Sequence, residues 1–114
     1  MHEDVAAYID GFPAEVAERL RAVRAGALEV VPEHAEKISY GVTTITSAGK
    51  NVFHYAAFAS HLSTYPVPDA DGELAEWIAS RRHGKGTLHH PHDQPLEVGR
   101  IAEVARLLAE QRRA

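Results

Sequence analysis

The chain has 114 residues, 45% hydrophobic and 25% charged, with a formal net charge of −4. That length suits one domain over residues 1–114 around a single core, and the composition excludes a mostly disordered polymer. No cysteine is present, which removes disulfides, thiolate nucleophiles and Cys-ligated zinc or iron–sulfur centres.

At the N-terminus His2, Glu3 and Asp4 stand where a signal peptide carries positive charge. Nowhere does the chain reach the roughly 20 consecutive apolar residues that span a bilayer, so a cytoplasmic protein without membrane contact is expected. Residues 4–11 read as a short helix that Gly11 stops, and Pro13 opens a second one where its missing N–H costs nothing. Val16, Leu20, Val23, Ala27 and Val30 recur at helical spacing until Pro32 ends the stripe. Residues 1–36 hold eight acids against three bases, a local charge of −5 that leaves +1 for the remainder.

From Ile38 to Thr46 the chain is rich in β-branched residues, and Ser47-Ala48-Gly49-Lys50-Asn51 reads as a five-residue hairpin loop before a second strand, Val52 to Phe58. Only Ala59-Ser60 separates this from a third strand, His61 to Tyr65. A two-residue turn there sets Phe58 opposite His61 and puts His54, Ala56, Phe58, His61, Ser63 and Tyr65 on one face. Asp69 or Asp71 can cap a helix carrying Leu74, Trp77 and Ile78 that frays at Gly84. The basic run Arg81-Arg82-His83-Gly84-Lys85 is a solvated helix end, too short for the clustered cations that nucleic acid demands. Thr87 to His90 forms a short extra strand, and Asp93 and Pro95 start a last helix with Val98, Ile101, Ala105 and Leu108 inward. The expected fold is α+β: an antiparallel sheet of four or five strands packed with N-terminal and C-terminal helices.

These blocks resemble the YdhG-like domain family of small bacterial proteins. The resemblance runs from Tyr8-Ile9-Asp10-Gly11-Phe12-Pro13 through Ile38-Ser39-Tyr40-Gly41, His61 to Pro66, Lys85-Gly86-Thr87 and Pro95-Leu96. It implies a compact α+β fold, a cytoplasmic location and, for at least one relative, a role resembling a frataxin-like iron chaperone. Two segments depart from the family pattern. Val42-Thr43-Thr44-Ile45 replaces Met-Pro and an aromatic residue, and His89-His90-Pro91-His92 replaces an aromatic residue and a Leu around a Pro.

Eight histidines and the acidic first third supply the candidate chemistry. Glu15 and Glu18 lie three apart on one helix face, able to touch a hydrated divalent cation, and acids at this place also favour a helix N-terminus. His90 and His92 alternate along an extended segment and can converge as two metal ligands, with Fe²⁺ or another divalent ion held weakly. The alternative there is a surface loop with solvated imidazoles. His54, His61, Ser63 and Tyr65 would give a sheet-face cleft a polar floor for a small ligand. No catalytic residue is assigned. Gly84-Lys85-Gly86-Thr87 has the wrong order for a phosphate loop, and no Ser sits in a Gly-x-Ser-x-Gly context. A binding domain for a metal ion or small ligand leads these readings. A homodimeric interaction module and an enzyme using His54 or His61 as acid/base stand beside it.

Overall fold

The computed structural model describes residues 1–113. Ten elements follow in order: α1 (Glu3–Asp10), α2 (Ala14–Val30), β1 (His34–Ser39), β2 (Val42–Ser47), β3 (Lys50–Ala57), β4 (His61–Tyr65), α3 (Gly72–Arg81), β5 (Arg82–His83), β6 (Thr87–Pro91) and α4 (Val98–Arg113). The strands form one antiparallel sheet in the order β1-β2-β3-β4-β6-β5. The α+β class is as expected, with six strands rather than four or five.

One added strand comes from a tight turn at Tyr40-Gly41, and the other is β5, Arg82–His83, which pairs with β6 where a solvated helix end was expected. Tyr40 and Gly41 have φ of 54° and 79°, and Ala48 and Gly49 have 51° and 81°. Positive φ at both central residues is the two-residue hairpin turn whose twist matches paired strands. The expected single strand Ile38–Thr46 is therefore folded in half at Tyr40-Gly41. The expected five-residue loop shrinks to Ala48-Gly49, because Ser47 pairs with Lys50 and Thr46 with Asn51. At the other end, α4 begins at Val98 rather than near Asp93, leaving residues 92–97 as a connection that lies along α2.

Alternation along the strands sorts residues between two faces. Ile45, Phe53, Tyr55, Leu62 and Leu88 form a core with Val5 and Ile9 of α1, Leu20, Val23 and Ala27 of α2, Leu74 and Ile78 of α3, and Ile101, Val104 and Leu108 of α4. All four helices thus bury their apolar stripes on one side of the sheet. On α2 the inward line is Ala17, Leu20, Val23 and Ala27, while Val16 and Val30 are only half-buried. α2 and α4 approach so closely that a Cβ on Gly26 would lie 2.8 Å from Val98 Cγ1. Arg24 of α2 grips Glu36 of β1 through two bonds of 2.7 and 2.8 Å, and Glu36 also accepts from the His2 backbone N–H. That guanidinium holds the Glu36 carboxyl below the usual carboxylate range, against the opposing effect of burial. Among the described residues no helix is long and apolar enough to cross a membrane.

Candidate functional site

The face of the sheet opposite the helices carries the four residues expected to floor a cleft. The Ala59-Ser60 turn sets the expected register: Phe58 N–H bonds His61 O at 2.8 Å, and His54 pairs with Tyr65 and Ala56 with Ser63. The four residues share a face but form two separate groups. At one end the His54 ring lies on Tyr65, centroids 5.1 Å apart, and its Nδ1 is 2.8 Å from Thr44 Oγ1. Burial, then the Arg112 and Lys37 cations, lower the His54 pKa. Ser63 is buried between the groups.

At the other end His61 stacks on Phe58 at 5.2 Å and on His89 at 3.9 Å, and His89 stacks on His83 at 4.1 Å. Four rings, Phe58 just past the end of β3 and one each on β4, β6 and β5, therefore stand in a row. Burial and the neighbouring imidazoles hold His61 and His89 below the ordinary histidine range. Because the rings are face to face, their in-plane lone pairs run side by side rather than converging on a common point. A shared metal ion needs convergence, with each nitrogen about 2 Å from it. The pairing of His83 with His89 does not show in the sequence, because β5 has only two residues, too few to show a period.

The expected metal ligands fare differently from one another. His90 does not sit in a solvated loop, and it does not join His92. Its alternation in β6 turns it inward, where it is 4% exposed, bonds Thr64 Oγ1 through Nε2 at 2.9 Å and stacks on Trp77. Burial first, then the Arg81 and Arg19 charges, push its pKa down to about 4. His92 lies in the turn beyond β6, its ring Nε2 2.8 Å from Phe58 O and its backbone N–H donating to Ser60 O. Since a carbonyl only accepts, Nε2 of His92 carries the proton and Nδ1 is the free acceptor. That Nδ1 is buried and unpartnered.

His92 does meet Glu15 and Glu18. With Val16, Arg19, Ala22, Leu96 and Val98 these residues line a groove of about 420 Å³ between α2 and the connection into α4. The lining mixes aliphatic side chains, Val16, Ala22, Leu96 and Val98, with charged and polar ones. Arg19, to which sequence reasoning assigned no role, reaches across to donate from Nη2 to Pro91 O at 2.9 Å and from Nη1 to Gln94 O at 3.1 Å. Its Nε is buried without an acceptor, and none of the ion pairs among the described residues involves Arg19. No group of three or more His, Asp or Glu side chains among the described residues is placed to hold a metal ion.

An antiparallel sheet roofed on one side by four helices defines an α+β sandwich. The fold is that of YdhG: the crystal structure of this DUF1801-family protein from Bacillus subtilis matches with a TM-score of 0.72, covering 90% of this chain and 88% of that one at 17% identity. No protein-family model matches the sequence, and neither does any curated protein sequence.

Proposed function

We propose that this YdhG-like domain binds a small amphipathic ligand in the groove between α2 and residues 91–98, and that Arg19 is its anchor. The carrying observation is the state of Arg19: a guanidinium without a carboxylate partner, two of its nitrogens spent on backbone carbonyls and the third on nothing. Partly buried cations ordinarily acquire a counter-charge, because desolvation is otherwise uncompensated. Val16, Ala22, Leu96 and Val98 supply the apolar surface beside it, and an apolar lining with a few polar groups is the usual composition of a ligand pocket. The ligand on this reading presents an anionic or acceptor group to Arg19 and an aliphatic body to Val16, Ala22, Leu96 and Val98. Weak binding and delivery of ferrous iron is the less favoured form of the reading, since Arg19 repels a cation from the groove that Glu15 and Glu18 line.

Titrating ¹⁵N-labelled protein with 4-methylpentanoate tests it. The amide signals of Val16, Ala22, Leu96 and Val98 shift saturably in the wild type, and Arg19→Gln weakens the response about tenfold, the effect of losing one charge-assisted hydrogen bond. Equal shifts in Arg19→Gln, or none at Val16 and Leu96 in the wild type, overturn the proposal.

A further inference from the structure

We infer that the groove is built for a zwitterion with an aliphatic body, the chemistry of an apolar amino acid; this rests on the groove being the binding site. Charges of both signs face the groove without neutralising each other. Glu15 and Glu18 stand one turn apart on α2, both exposed, and neither side chain takes part in a hydrogen bond or ion pair among the described residues. Their neighbours behave otherwise: Arg21 pairs with Asp10 at 2.8 Å and Arg24 with Glu36 at 2.7 Å. Arg19 turns away from both glutamates to the Pro91 and Gln94 carbonyls.

Glu15, the second residue of α2, is favoured by the positive end of the helix dipole. Glu18 lies beyond the first turn, where that field has faded, so helix electrostatics do not account for it. What remains is a dipolar pattern, carboxylates on the α2 side and guanidinium toward the 91–94 turn, with Val16, Leu96 and Val98 beside them. A simple anion satisfies Arg19 but meets Glu15 and Glu18; a simple amine does the reverse. A ligand with ammonium and carboxylate on one aliphatic skeleton satisfies both. At about 420 Å³ the groove lies at the small end of ligand pockets, which run from roughly 300 to 1,000 Å³.

Three probes share that skeleton: leucine, 4-methylpentanoate, which lacks the ammonium, and 3-methylbutylamine, which lacks the carboxylate. Followed by ¹⁵N-detected titration on the full chain, leucine binds about two- to fivefold more tightly than either fragment, the worth of one exposed ion pair. In the double variant Glu15→Gln/Glu18→Gln the advantage disappears, with leucine weakened and 4-methylpentanoate strengthened. If 4-methylpentanoate binds the wild type as tightly as leucine, or the double variant leaves the preference for leucine intact, the zwitterion inference falls while the groove stands as an anion site. If none of the three shifts the groove signals, both readings fall together.

Discussion

His90 has almost no exposed surface to offer a ligand, yet it makes folding sensitive to acid. Its ring is neutral against Trp77 and bonded to Thr64, with a pKa pushed down to about 4 by burial first and by Arg81 and Arg19 after that. In the unfolded chain the same imidazole titrates near ~6.5. The unfolded state therefore binds the proton first, so stability is complete above about pH 6.5 and declines as pH falls toward 4. The full difference is worth about 3 kcal/mol. Urea midpoints of wild type and His90→Gln, whose amide can still meet the Thr64 hydroxyl, check this: the wild type loses about 3 kcal/mol more than the variant between pH 7 and pH 4. Parallel curves would refute it. Glu36, held low by Arg24, adds a loss of the same sign that sets in only as pH falls into the ordinary carboxylate range, so most of it comes after that of His90.

Among the elements, the hairpins show why some of the fold could be read from the residues and some could not. The β3–β4 turn was legible because Phe58 and His61 leave only Ala59-Ser60 between two unmistakable strands, and parity then assigns every side chain to its face. The β1–β2 turn was hidden by its own chemistry. Tyr40 is a strand-forming residue, yet it occupies φ 54° beside Gly41, so the β-branched run seemed continuous. Ser47, Lys50 and Asn51 look like loop residues, but ladder hydrogen bonds ask nothing of side-chain propensity. The groove was half legible. Glu15, Glu18 and His92 were marked as ligating types, while Arg19 gave no local signal because its partners, Pro91 and Gln94, lie more than 70 residues away. At Ala48, an L-residue at φ 51° carries backbone strain of about 1–2 kcal/mol that glycine avoids. Part of that is offset by the greater freedom of glycine in the unfolded chain, so Ala48→Gly should stabilise by about 0.5–1 kcal/mol and Gly49→Ala destabilise by about 1 kcal/mol. Denaturant midpoints of the two single variants read both signs, and a loss in Ala48→Gly would contradict the strained-turn account.

For the molecule as a whole, the one-sided helix layer leaves two sheet edges, and their composition decides whether copies can join. One edge is β5, only two residues long. The other is β1, six residues with His34, Ala35 and Lys37 exposed. Two copies extending the sheet through β1 about a twofold axis must pair residues of the same face. With most of the strand overlapped, the axis then passes through Lys37 or through Glu36. The first register sets Lys37 against its own copy. The second sets Glu36 against Glu36 and adds a second carboxylate beside the one that Arg24 and the His2 N–H already engage. Like charges directly opposite destabilise a ladder, and lysine on an edge strand is a common guard against such pairing. The edges thus argue against pairing of copies through β1. Static light scattering should give the mass of one chain at every concentration, and Lys37→Val, which replaces the guard with a strand-forming residue, should raise the mass at high concentration. A wild-type mass that climbs with concentration, unchanged by Lys37→Val, would place an interface elsewhere, with the exposed Phe58 at the end of the ring row the first surface to probe.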